Sequence, residues 1–366
     1  MPVNKFFRLL IMFSALGCGQ SLAQEQDEID PAALRPYWLG QEPGTAAATA
    51  PYILSAEERA KFNGTFGIDL SHYSFDIDND DPVCKTQQGY ESPACSCTID
   101  WQAVADNQIL FAYSKASDAA NTDLSFRRVW SELKAKHDSK VLFRGAFHFL
   151  RPSVDAATQA RTFLNAVGAV GGRKPAQLPP VLDIEWSNKR ITPGTPEFDA
   201  CPTDRRTTND QGKTFCDMWY KVHPEDIAVA AKIWIDIVEY ATGQQVIIYT
   251  NPTAWWNPVM KAKGADLMKR QPVWTSRYTS QGPRYNPKWD DEGGSPKWKM
   301  APIPMGATFP AGSKYDIAHF WQFSEAAYLP PKLFTCGGNA VRKAMDMNWV
   351  PVDKNEYLPL FGVGTP

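Results

Sequence analysis

Residues 178–186 read LPPVLDIEW, two prolines followed by an apolar run that carries two carboxylates at i and i+2. Proline resists helix continuation and holds its predecessor in extended geometry, so the run predicts a strand. Side chains alternate faces along a strand, which sets Asp183 and Glu185 on one face and Leu182 and Ile184 on the other. Burying unpaired carboxylates is costly, and acids with shifted pKa values cluster at active sites. Two acids at a strand end suit glycosidic bond cleavage, where one protonates the leaving oxygen and the other handles charge at the sugar. On this segment alone, a structural ion network answered by Arg or Lys is the plainer alternative.

The rest of the chain predicts the setting. Short apolar runs at 66–70, 109–114, 141–149, 181–186, 246–250, 273–277, 317–322 and 344–349 read as strands. Amphipathic stretches fall between several of them. The clearest is 225–241, with Pro224 and two acids at its start, apolar residues at helical spacing, and Gly243 as its stop. Stretches 123–136 and 155–167 are similar. About eight strands alternating with helices predict an α/β fold, a mainly parallel sheet closed as a (β/α) barrel. In such barrels the site gathers at the carboxyl ends of strands. Asp69 ends the first strand, Asp183 and Glu185 end the fourth, and Asp346 lies in the last.

The first 23 residues predict a secretory signal, with Lys5 and Arg8, an apolar stretch, and Ser21-Leu22-Ala23 as the cleavage site. That stretch is too short for a membrane span. Ala15-Leu16-Gly17-Cys18 loosely matches a lipoprotein processing site, with a lipid anchor at Cys18 as the less favoured alternative to export into the periplasm or medium. Residues 24–63 read as a leader or linker with one short helix at 55–61, leaving 64–366 as the catalytic domain. Six further cysteines behind a signal predict disulfides. The expected pairs are Cys201–Cys216, and Cys84 with Cys95 or Cys97, the other joining Cys336. Cys95-Ser-Cys97 lacks a zinc spacing and no paired His follows, so no metal is expected. A net charge of −2 implies no general affinity for nucleic acid or anionic membrane. No glycine loop suited to phosphates is present in the sequence, so no cofactor is expected.

An ordered series of motifs resembles glycoside hydrolase family 25, the Chalaropsis-type lysozymes or N-acetylmuramidases. The series runs GIDLSHY at 67–73, IDWQAV at 99–104, FAYSKAS at 111–117, RGAFHFLRP at 144–152 and PPVLDIEW. It continues with VIIYTNPTAWW at 246–256, VWTSRYTS at 273–280, HFWQFSE at 319–325 and MDMNWV at 345–350. The resemblance implies an irregular (β/α) barrel of the TIM-like type and cleavage of the β-1,4 bond after N-acetylmuramic acid in peptidoglycan. Position by position, Glu185 matches the family's general acid/base and Asp183 its partner, while Asp69 and Asp346 match two further acids of the groove. Asp183 would orient the substrate's acetamido group or act directly as nucleophile. Tyr249, His148 and Tyr113 sit near strand ends as candidates for substrate contact. Of the 13 Trp, Trp321 and Trp274 are the candidates for stacking on sugar rings.

Three elaborations depart from the family pattern. Insertions at 75–98 and 187–223 enlarge loops after acid-bearing strands and hold cysteines, so they are expected to be stapled. Asp118 follows the SKAS run where the family commonly has Glu. A Pro-, Gly- and Lys-rich segment at 279–312 has room for a partner protein. Two alternatives remain. A chitinase-like hydrolase is disfavoured by Val181 where those enzymes carry a further Asp. A non-catalytic glycan-binding barrel is disfavoured by the presence of all four acids.

Overall fold

The computed structural model describes residues 39–40, 52–53, 65–77, 81–107, 109–138, 142–170, 177–208, 212–276, 320–327, 333–341, 343 and 345–350. The expected signal, the helix at 55–61 and the segment 279–312 lie outside the described residues.

Eight strands form a closed ring: β1 (Thr65–Leu70), β2 (Ile109–Asp118), β3 (Phe143–Phe149), β4 (Val181–Asp183), β5 (Ile247–Thr250), β6 (Val273–Ser276), β7 (Phe320–Ala327) and β8 (Met345–Val350). The first seven run parallel in chain order around the ring. β8 closes it antiparallel to both β7 and β1. The strand count meets the expectation from sequence. The reversed last strand is a departure, because alternation of apolar and polar residues is blind to strand direction.

Helices pack outside the ring: α1 (Trp101–Asp106), α2 (Phe126–Asp138), α3 (Ala156–Ala169), α4 (Pro224–Thr242), α5 (Asn257–Met260) and α6 (Ala265–Arg270). In α4, Pro224 occupies the first turn beside Glu225 and Asp226, where the helix dipole favours acids. Gly243, at φ 66°, closes it with an N–H to the Glu239 carbonyl. Asp155 caps α3 by accepting from the Thr158 N–H at 2.9 Å. α2 begins three residues later than its sequence pattern suggests. Asp123 spends its Oδ1 on the Ser125 N–H and hydroxyl, making a turn ahead of the helix.

Strand alternation sorts the core into layers. Phe111, Tyr113, Phe143, Val181, Ile247, Trp274 and Phe320 fill the barrel interior. Space for two of these rings comes from glycine: a Cβ on Gly67 would collide with Phe111, and one on Gly145 with Tyr113. The opposite faces of β4 and β5 present Leu182, Ile184 and Ile248 to Phe163 of α3 and Trp234 and Val238 of α4. On the other side Ile68, Met347 and Trp349 meet Val104 of α1 and Val129 and Leu133 of α2. Each such buried side chain contributes roughly 1.5–3 kcal/mol relative to exposure. Among the described residues no helix is long and apolar enough to cross a membrane.

Both insertions are stapled. Cys84–Cys95 closes the first, and Cys97–Cys336 ties its end to a small sheet in which Thr98–Ile99 pairs with Phe334–Cys336. The second folds as three antiparallel strands, Asn188–Ile191, Arg206–Thr208 and Thr214–Asp217, bridged by Cys201–Cys216. The structure thus chooses Cys95 for Cys84 and leaves Cys97 for Cys336, within the pairings expected.

Candidate active site

A cleft of about 280 Å³ opens at the carboxyl ends of the parallel strands. Asp69 reaches it from β1, Lys115 from β2, Phe149 from β3, and Asp183 from the end of β4. Glu185 follows just beyond β4, Tyr249 and Trp274 come from β5 and β6, and Gln322 and Glu325 from β7. Because β8 is reversed, Asp346 near its start arrives at the same end, directly opposite Asp69. All four sequence-predicted acids therefore meet in one cleft.

The local backbone explains how Asp183 and Glu185 come to share a wall. β4 stops at Asp183, shorter than the strand expected over 181–186. Its ladder ends where Leu150 N–H donates to the Asp183 carbonyl and Ile184 N–H to the Tyr249 carbonyl, both at 2.9 Å. Extended alternation nevertheless persists through these residues, with Asp183 and Glu185 facing the cleft and Leu182 and Ile184 packed outward.

Asp69 is anchored. Its Oδ2 accepts from Asn348 Nδ2 at 2.7 Å and Gln322 Nε2 at 2.9 Å. Those amides are oriented in turn: Tyr249 donates its hydroxyl to Gln322 Oε1 at 2.7 Å, and Trp274 Nε1 donates to Asn348 Oδ1 at 2.9 Å. Asp183 differs, since its buried Oδ1 has no hydrogen-bond partner among the described residues. A buried acceptor without a donor is a costly arrangement in a finished core.

Charge crowding sets the proton affinities. Burial, followed by the charge of Glu185, holds Asp183 well above its ordinary value. Burial and neighbouring Asp69 do the same to Asp346. Burial also raises Asp69, against the hydrogen bonds from Asn348, Gln322 and Asp346. Glu185, partly exposed on the cleft wall, is pushed up to about 7 by burial, with Lys115 and Arg151 pulling it down and Asp69 and Glu325 pushing it up. A carboxyl poised near neutrality can both give and take a proton there.

Two cations face these acids. Lys115 is 5% exposed, with Nζ 3.2 Å from Asp118 Oδ2 and 4.8 Å from the centre of the Phe149 ring. Arg151 grips Asp118 with two parallel bonds at 2.7 and 2.8 Å. Burial opposes ionisation of Asp118, yet Arg151 and Lys115 hold it below its usual range. A β-bulge between Lys115 and Ser117 re-aims the strand so that Asp118 meets these partners.

Five residues were named from sequence for substrate contact, and only Tyr249 and Trp274 line the cleft. His148 does not reach it. It is fully buried on the outer face of β3, bonded to Ser117 Oγ at 2.8 Å and Gln159 Oε1 at 3.1 Å, and stacked on Trp234. Burial drives its pKa down to about 4, so it stays neutral. Tyr113 lies lower in the barrel interior against Trp274, its hydroxyl donating to the Pro179 carbonyl at 3.2 Å. Trp321 points outward into the core with Trp349. The reason is shared: strand parity puts His148 and Trp321 on the wrong face, and depth puts Tyr113 below the cleft.

Sequence reasoning passed over Lys115, Gln322, Glu325 and Asn348. Lys115 stood two residues from Tyr113, on the same face, and was legible by parity. Glu325 was not, because β7 slips register between Gln322 and Ala327. Among the described residues no group of three or more His, Cys, Asp or Glu is disposed to hold a metal ion.

The chain is 27% identical to the uncharacterized protein YegX of Escherichia coli strain K12 over 208 residues, 55% of this chain and 60% of that protein. It is 24% identical to Lysozyme M1 of Streptomyces globisporus over 225 residues, 61% of this chain and 58% of that one. It therefore spans about 60% of the length of the curated relatives it matches. The bacterial lysozyme structure from Streptomyces coelicolor shares the fold, with a TM-score of 0.50 and 20% identity, covering 82% of this chain and 97% of that one. The sequence model of glycosyl hydrolases family 25 matches residues 95–331, so the chain belongs to that family.

Proposed function

We propose that the protein is an exported muramidase, a glycoside hydrolase on an irregular (β/α) barrel that cleaves the β-1,4 bond between N-acetylmuramic acid and N-acetylglucosamine in peptidoglycan. Glu185 is the general acid/base, and its elevated proton affinity, to about 7, carries the reading. Protonated, it donates to the leaving glycosidic oxygen; ionised, it takes a proton from water in the second half of the reaction. Asp183 orients the substrate's 2-acetamido group. Its carboxyl lines the cleft beside Glu185, where it can accept from the amide N–H, and fixing that amide turns its carbonyl oxygen toward the anomeric carbon. Direct attack by the Asp183 carboxylate is the competing route; it needs Asp183 ionised, which burial and the charge of Glu185 oppose.

Asp69 and Asp346 line the same cleft, where the charge shared by the pair would stabilise an oxocarbenium-like transition state. Tyr249 and Trp274 serve from behind, through Gln322 and Asn348. Membership of the family and similarity to the lysozyme of Streptomyces globisporus support the substrate class. The test is Glu185→Gln beside wild type on purified peptidoglycan. Loss of turnover by roughly 10²–10⁴ with binding retained supports the assignment; unchanged turnover refutes it.

A further inference from the structure

The second insertion bonds to the turn that carries Glu185. β4 ends at Asp183, so the turn Glu185–Trp186–Ser187 lies outside the barrel's hydrogen-bond ladder. It is stitched instead to residues 217–219. Trp219 Nε1 donates to the Glu185 carbonyl at 2.8 Å. Ser187 N–H donates to Asp217 Oδ1 at 3.1 Å, and Met218 N–H returns to the Ser187 carbonyl at 2.8 Å. The turn is thus gripped at the Glu185 carbonyl and at both backbone groups of Ser187.

Asp217 is the hub of the clamp. Fully buried, it also accepts from Trp219 N–H at 3.2 Å, Trp255 Nε1 at 3.0 Å and Arg205 Nη1 at 3.1 Å. Its neighbour Cys216 is bonded to Cys201, and Arg206 closes the loop onto the Cys201 and Phe198 carbonyls at 2.7 and 2.6 Å. A strand end left to itself frays; this one is tied through a buried carboxylate to a cross-linked three-stranded sheet. We propose that Asp217 and Trp219 are positioning residues for Glu185, and that the stapled insertion exists to fix the acid's geometry.

This rests on the muramidase reading, so the experiment separates the two. In the full disulfide-bonded protein, Trp219→Phe keeps an aromatic side chain but removes the indole N–H, and Tm measured alongside separates the loss of packing from the loss of the hydrogen bond. The expected result is a kcat lowered roughly ten- to a hundredfold with KM changed less than about twofold, since small misplacements of a reacting group are costly. The Glu185 carboxyl, followed by carbon NMR, should titrate below its wild-type midpoint as the loosened turn admits water. Wild-type kcat and an unmoved midpoint, or a lowered Tm alone, overturn the proposal. Should Trp219→Phe not fold, Arg205→Gln relaxes the same hub from the insertion's surface and is read the same way. A wild type without turnover defeats the muramidase reading only, and the Glu185 titration still decides the clamp.

Discussion

Asp346 stands directly opposite Asp69 in the antiparallel pairing of β8 with β1. Like charges placed so are destabilising, and the pair resolves the conflict by a hydrogen bond between them that raises Asp346 and lowers Asp69. Asp69, which accepts from Asn348 and Gln322, is the member of the pair whose charge pushes Glu185 up. Asp69→Asn removes that push. It is predicted to move the alkaline limb of kcat/KM against pH downward, whereas Asp346→Asn, which keeps a donor to Asp69, moves it less. Equal shifts in the two variants would refute the division of roles.

Stability should pay for the elevated acid. Glu185 binds its proton more tightly folded than unfolded, so its contribution is fully present below about pH 4.5 and is lost as pH rises to about 7. The loss is of order 3 kcal/mol at most. Glu185→Gln is therefore predicted to melt higher than wild type at pH 8, with the difference vanishing at pH 4. Thermal melts of both proteins at the two pH values check this.

His148 works in the opposite direction. Its folded pKa of about 4 lies below the ordinary 6.5, so its stabilising effect is present above pH 6.5 and lost as pH falls toward 4. His148→Gln, which cannot titrate, should lose less stability than wild type between those values while leaving KM unchanged. A raised KM would mean that His148 touches substrate after all.

The disulfides should differ in worth according to the loop each closes. Cys97–Cys336 spans 239 residues, Cys201–Cys216 spans 15 and Cys84–Cys95 spans 11. Chain-entropy scaling gives about 5 kcal/mol for the first and about 3 for the other two. Paired Cys→Ala variants, unfolded in denaturant, should lose stability in that order; equal losses would contradict it.

Much of this molecule was legible in its sequence. The i, i+2 spacing of Asp183 and Glu185 fixed their shared face even though β4 itself stops at Asp183. The caps of α3 and α4 announced themselves through Asp155, Pro224 and Gly243. What escaped was information that sequence spacing does not carry. The reversal of β8 depends on which strand it meets, and the bulges near Lys115 and Gln322 break the parity on which face assignments rest. His148 is suggested by its place near a strand end and Trp321 by its aromatic face, while strand parity buries both away from the cleft. The clamp on Glu185 joins residues some thirty positions apart, across an insertion whose sheet has weak, polar strands.

The central claim is that Glu185 drives cleavage after N-acetylmuramic acid. Its most direct test is mass spectrometry of the reducing ends released from purified peptidoglycan by the disulfide-intact protein. Muropeptides ending in reducing N-acetylmuramic acid, absent with Glu185→Gln, are the predicted result. Ends at N-acetylglucosamine, or the same products from the variant, would contradict the account.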